Sequence, residues 1–280
     1  MMQLRIVHTT VFSYEGKALA SYNQARMTPL TAPGQIVVHT RVQVSPTPWS
    51  ASYRDYFGTE VTTFEVLDPH DTMTITATST VHTERAPAPL PALSWEDLSD
   101  PGISDRWTEY LELPDLVAPP EEVVAQAREL AASSSRPAEA ARAMCEFVHR
   151  EVSYIPGTTI TTTPAAEAWE QRAGVCQDMA HLALGGLRSM GIPARYVSGY
   201  LHPLADAAIG ETVAGESHAW IEWWDDGWHA YDPTNDLEPG DRWVVVATGR
   251  DYLDVRPLHG IYSGSATSSM RVQVDITRLA

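Results

Sequence analysis

A thiol, an imidazole and a carboxylate are enough to build a nucleophilic acyl-transfer site, and this chain holds one set of the three at useful positions. Residues 174–184 read GVCQDMAHLAL, residues 215–224 read GESHAWIEWW and residues 229–236 read HAYDPTND. Cys176 opens an apolar helix. A thiol there faces unpaired backbone N–H groups and the positive end of the helix dipole, which favour thiolate over thiol. The same N–H groups can hold an oxyanion, so one position supplies a nucleophile and part of its transition-state stabiliser. Gly174, without a side chain, is expected to let a substrate backbone come close.

A thiolate needs an imidazole to exchange protons with it and with the leaving amine. Of the ten histidines, His218 is best placed, where a polar loop enters an apolar strand. The imidazole needs an acceptor to fix its tautomer. Asp232 lies across a hairpin turned at Asp226-Gly227, so adjacent antiparallel strands bring it beside His218.

The elements that must position these groups are legible from periodicity. From about residue 2 to 85 the period is two, as in DTMTITATSTVHTE (71–84), where Met73, Ile75, Ala77, Ser79 and Val81 alternate with threonines. QIVVHTRVQVS (35–45) alternates likewise, and RDYFGTEVTTFEV (54–66) reads as two strands around Gly58. This predicts an N-terminal antiparallel β domain over 1–85. APAPLPAL (86–93) is a proline-rich break, so 86–118 reads as a linker, with a short helix near 104–112.

Over 119–280 a helical period takes over. PPEEVVAQARELAA and RPAEAARAMCEFVHREVSY (136–154) are helices, the second carrying Cys145 as a buried, inert thiol. PAAEAWEQRAG (164–174) is a short helix. Residues 176–190 form the next, with Met179, Ala180, Ala183, Leu184 and Leu187 on one stripe and Cys176 pointing the same way. Strands follow at 194–201, 217–226, 227–233 and 270–279. The fold class is α+β, with the nucleophile helix packed on an antiparallel sheet.

Neighbouring residues that could compete for these roles have simpler structural roles. His181, one turn beyond Cys176, lies off the stripe and reads as a partly buried histidine bonded to backbone. Asp178 reads as a capping and dipole residue, and Gln177 is ambiguous. Trp220, Trp223, Trp224 and Trp228 read mostly as core, with one of them able to wall a cleft. Cys176, His181 and His218 lack any paired-ligand spacing, so no metal is expected, and no feature names a cofactor.

Acidic residues outnumber basic ones 36 to 19, for a net charge of −17, and the few cations are scattered. Phosphate binding needs clustered cations, so nucleic acid and anionic membranes are not expected partners. The sequence offers no run of about 18 apolar residues and no signal peptide in MMQLRIVHTT, from which a cytoplasmic location is expected.

GVCQDMAHLALGGLRSMGIPARYVSGYL followed by SHAWIEWWDDGWHAYDPTN resembles the transglutaminase-like superfamily, in its bacterial branch of cysteine protease-like members. HTTVFSYEGKALASYNQARMTPL and DYFGTEVTTFEV resemble the β domain that precedes the core there, and GRDYLDVRPLHGIYSG (249–264) extends the likeness past the core. The resemblance implies a papain-like core with Cys176, His218 and Asp232 as the catalytic triad. It further implies a thioester intermediate formed on a peptide, protein or small amide substrate, resolved by water or by an amine acceptor, with a lean to hydrolysis. The competing class is a non-catalytic peptide-binding or protein-binding module on the same fold. Two departures stand out. Thr59 replaces an expected Asn, which predicts a different turn there, and the loop at 201–217 is expected to overhang the cleft.

Overall fold

The computed structural model describes residues 1–87 and 90–280, so positions 88 and 89 of the proline-rich break lie outside the described residues. The alternating segments of the first region form β1 (Met2–Ala18), β2 (Ala20–Ala25), β3 (Gln35–Ser45), β4 (Trp49–Arg54), β5 (Glu60–Val66) and β6 (His70–Thr83). In β6 every second side chain from Met73 to Thr83 is buried, as a period of two requires. The β4–β5 turn places its left-handed residue at Gly58, with φ of 81°. Thr59 is buried beside it and donates its N–H to Asp55 Oδ1 at 3.0 Å. The left-handed position of this turn is thus Gly58, and Thr59 itself is not left-handed.

The next segment holds α1 (Trp95–Leu98) and then, where a single helix near 104–112 is predicted, two short pieces, α2 (Pro101–Arg106) and a 3₁₀ turn at Thr108–Tyr110. This stretch is docked: Ala92 N and Leu93 N donate to the two oxygens of Asp225 at 3.0 and 2.6 Å, and Trp95 Nε1 donates to Ser134 O at 3.0 Å. Then come α3 (Glu121–Ser133), opened by Pro120 and two glutamates, and α4 (Pro137–Glu151), with proline at its first position. They are followed by β7 (Ser153–Tyr154), α5 (Ala165–Gln171), β8 (Ala173–Gly174) and α6 (Cys176–Ser189). The chain ends through β9 (Ala194–Leu201), β10 (Thr212–Trp224), β11 (Trp228–Tyr231), β12 (Trp243–Gly249), α7 (Tyr252–Val255), β13 (Leu258–Ser263) and β14 (Thr267–Arg278).

Apart from the short parallel pair β7–β8, the strands form one large and one small antiparallel sheet. The large one runs β12-β9-β10-β14-β1-β6-β3, with β11 also paired to β10, and the small one runs β13-β2-β5-β4. Strands from the two ends of the chain thus lie side by side: Leu4 is opposite Val81 on one flank and Arg278 on the other. Leu4 and Ile6 share a core with Met144, Leu184, Ile221 and Ile276, so apolar side chains from first strand to last are buried together.

Helix α6, which Cys176 opens, is the centre of this core. Residues Gln177 to Arg188 are all buried, where periodicity predicts a single apolar stripe. The reason is that α6 is covered on all sides, by α3, α4 and α5 and by β9 and β10. Its far end is pinned by Arg188, whose buried guanidinium donates to the carbonyls of Glu112 (2.8 Å), Ala194 (2.8 Å) and Arg250 (2.6 Å). Among the described residues, no helix is long and apolar enough to cross a membrane.

Candidate active site

The site is built from the start of α6. Val175, in extended conformation, precedes the helix and gives its N–H to Asp178 Oδ2 at 2.8 Å, and Thr159 Oγ1 donates to the same oxygen at 2.6 Å. Asp178 is therefore the capping residue the sequence indicates. Gly174 is corrected in its turn. A Cβ at Gly174 would lie 2.7 Å from Asp178 Oδ2, so the glycine makes room for the capping carboxylate and not for a substrate backbone. β7 and β8 pair in parallel with Tyr154 opposite Gly174, which sets Tyr154 beside the helix entrance. Gln177 Nε2 donates to Thr161 O at 3.3 Å, tying the first helical turn to the preceding loop.

His218 stands on β10, opposite Gly199 of β9. β10 and β11 pair from Ile221–Tyr231 to Trp224–Trp228, and Asp226, with φ of 59°, is the left-handed residue of the connecting turn. Extending that register past Tyr231 sets Asp232 diagonally across from His218. His218 Nε2 lies 2.6 Å from Asp232 Oδ2, which leaves Nδ1 as the ring nitrogen available to the thiol.

Asp232 is fully buried and both its oxygens are engaged. Oδ2 also accepts from Asn235 Nδ2 at 2.7 Å and from Trp243 Nε1 at 3.0 Å. Oδ1 accepts the backbone N–H groups of Thr234 at 2.9 Å and Asn235 at 3.2 Å. Burial alone would raise the Asp232 pKa, but the bonds from His218, Asn235 and Trp243 prevail and hold it below the usual carboxylate value. Burial alone would lower that of His218, yet the bond to Asp232 and the neighbouring Cys176 thiol reverse the effect and raise it to about 10. Both shifts favour the charged forms of the pair, imidazolium against carboxylate.

Cys176 and His218 border one cleft of about 470 Å³, whose walls include Tyr154, Tyr196, Tyr252 and Val272. The aromatic wall is tyrosine: none of the four tryptophans of the hairpin region borders it, and Trp220 and Trp223 are buried in the core. Of the 201–217 loop, only Gly215, Glu216 and Ser217 reach the cleft. Its middle is turned instead onto the end of β14, where Gly210 N donates to Arg278 O and Arg278 Nη1 to Ala207 O. His181 is fully buried, not partly as predicted, and accepts the Tyr252 N–H at 3.2 Å. Burial lowers its pKa to about 3, so it stays neutral. Among the described residues, no three His, Cys, Asp or Glu side chains are grouped to hold a metal ion.

Residues 124–233 match the family profile of the transglutaminase-like superfamily, and residues 4–82 match that of the bacterial transglutaminase-like N-terminal region. The chain belongs to the transglutaminase-like superfamily. It is 45% identical to an uncharacterized protein of Mycobacterium leprae over the full length of both, and 36% identical to one of Mycobacterium tuberculosis over 97% of this chain and 91% of that one. A protein-glutamine gamma-glutamyltransferase of Pseudomonas aeruginosa is 35% identical over 25% of this chain and 11% of its own length. In fold, the chain resembles a Cytophaga hutchinsonii protein described as a candidate cysteine protease, with a TM-score of 0.78 and 22% identity over all of this chain and 91% of that one. This transglutaminase-like fold has the α+β architecture predicted.

Two groups of this transglutaminase-like site escape sequence reasoning. Asn235 carried a signal, since an Asn three residues after an Asp in DPTN can close a turn back onto that carboxylate. Trp243 carried none: it stands on β12, which pairs with β9 and not with the strand of His218.

Proposed function

We propose that this chain is a cysteine acyltransferase that forms a thioester on Cys176 from a peptide or other carboxamide. The observation that carries this reading is the 2.6 Å contact between His218 Nε2 and Asp232 Oδ2 at the cleft that Cys176 borders. In acylation the Cys176 thiolate adds to the carbonyl carbon, and the resulting oxyanion is met by the Cys176 N–H at the helix start. His218 Nδ1 gives its proton to the amide nitrogen, the C–N bond breaks and the amine leaves. Asp232 keeps the proton on Nε2 and so holds Nδ1 toward sulfur.

The second half returns the enzyme. A nucleophile attacks the thioester carbon, His218 takes its proton, and the C–S bond breaks to restore the thiolate. Water yields a carboxylic acid, and a primary amine yields a new amide. The open rim, with Tyr154 and Val272 each 46% exposed, favours water as the default nucleophile.

The test is turnover of peptide amides, read as released amine, alongside incorporation of a fluorescent primary amine into a glutamine-rich protein. Cys176→Ala, His218→Ala and Asp232→Asn are each expected to lose about 1000-fold or more in turnover. Turnover that survives Cys176→Ala refutes the reading.

A further inference from the structure

The cleft beside Cys176 has one ionisable carboxylate on its walls, Glu216, and no basic side chain apart from the His218 imidazole. Glu216 stands on β10 two residues before His218, and its side chain is exposed. Among the described residues it makes no ion pair, although other glutamates such as Glu222 and Glu238 pair with arginines. Arg256, next in sequence to the wall residue Pro257, gives its Nε to Leu253 O and does not border the cleft. Tyr154 borders the same cleft, and its phenol pKa is raised, first by burial and further by Cys176 and Glu216. The remaining walls toward the rim are apolar, from Tyr154, Pro156, Pro257 and Val272.

An unpaired carboxylate at the end of an apolar wall matches a ligand with an aliphatic stem and a positive tip. The acidic charge of the whole chain draws the same class of ligand. Building on the acyl-transfer reading above, we propose that Glu216 is a specificity-determining residue that selects substrates carrying a cationic aliphatic group near the reacting carbonyl. Lysine is the model for this chemistry. The group can come from two sources, a basic side chain on the acyl donor or a diamine acting as acceptor, and both place a positive tip against Glu216.

The first measurement does not depend on turnover. Cys176 is modified with a cationic trimethylammonium-ethyl methanethiosulfonate and with an anionic sulfonatoethyl methanethiosulfonate, and mass spectrometry reads the two rates on the parent, Glu216→Gln and Glu216→Asp. The cation-over-anion rate ratio is expected to fall about threefold in Glu216→Gln, on the scale of an exposed charge pair, and to be restored by Glu216→Asp. A ratio that does not move in Glu216→Gln overturns the proposal.

The second measurement locates the source. Peptide amides with lysine or norleucine beside the reacting carbonyl are compared, as are cadaverine and pentylamine as acceptors. Loss of the lysine preference in Glu216→Gln, carried by KM, assigns the cation to the donor, and loss of the cadaverine preference assigns it to the acceptor. Preferences that survive in both arms overturn the specificity role even when the labelling ratio changes. Absence of all turnover alongside a changed ratio instead refutes the acyl-transfer reading and leaves recognition of a cation by Glu216 standing.

Discussion

The indole Nε1 of Trp243 lies 3.0 Å from Oδ2 of Asp232, the same oxygen that takes the bond from His218. A residue on β12 therefore helps to hold the charge on a carboxylate that serves a residue on β10. Trp243→Phe keeps an aromatic ring but removes the donor together with part of the buried indole. It is expected to lower kcat/KM about tenfold and to cost about 2 kcal/mol of stability, read from turnover and thermal melts. Unchanged values in both assays would show the contact to be incidental.

The His218–Asp232 pair should leave a mark on stability against pH. His218 is raised in the fold to about 10 from an ordinary 6.5, so its contribution is complete below pH 6.5 and disappears as pH climbs through about 10. Asp232 is lowered, so its contribution is complete above its ordinary 3.8 and disappears as pH falls through the lower folded value. The difference in Tm between the parent and His218→Ala is expected to be widest near pH 5.5 and to shrink by more than half by about pH 9.5. A constant difference across that range contradicts the assignment.

The two cysteines should separate cleanly under alkylation. Cys145 is fully buried and burial pushes its thiol pKa up, whereas Cys176 is half-buried at the cleft. Iodoacetamide at neutral pH is expected to modify Cys176 and spare Cys145 in the folded protein. His218→Ala should slow the Cys176 reaction about tenfold or more, as resolved peptide by peptide in mass spectrometry. Equal labelling of the two thiols would mean that the cleft does not single out Cys176.

Gly174 and Asp178 should behave as one unit. Gly174→Ala brings a methyl group to 2.7 Å from the Asp178 carboxylate and displaces the cap, while Asp178→Ala removes it at a cost of about 1 kcal/mol. In a double-mutant cycle the combined loss is expected to be smaller than the sum by about 0.5 kcal/mol or more. Additive melting data would refute the coupling.

Removal of β14 tests how the sheets depend on each other. A chain stopped after Ser263 lacks the strand that pairs with β1 and β10, and it uncovers one edge of each. It is expected to lose its cooperative thermal transition and to aggregate, as judged by calorimetry and light scattering. A sharp transition in the shortened chain would show that the first strands stand without β14.

The local elements of this site could be read because each has a period or a punctuation mark of its own. The stripe of Met179, Ala180, Ala183, Leu184 and Leu187 marks α6, and Asp226-Gly227 marks the hairpin that brings Asp232 toward His218. What stayed hidden were relations between elements remote in sequence. Alternation in MRVQVDITRL announces a strand, but no residue in it names β1 as its partner. The burial of α6 on all sides was hidden too, because a run containing Gln177, Asp178, His181 and Arg188 looks two-faced until helices are packed on the second face. Trp243 and the unpaired Glu216 belong to the same class, since each gains its meaning from a neighbour set by tertiary packing.

The pairing of Leu4 with Arg278 also bears on how the molecule comes into being. On the ribosome, Cys176, His218 and Asp232 are all synthesised before Val272 and Val274, which complete the cleft, and before the strand that seals β1. A vectorially growing chain therefore carries Cys176 and His218 ahead of the wall that frames them, and contacts this distant in sequence are slow to close. Maturation of the cleft is a late event, tied to the arrival of the last strand.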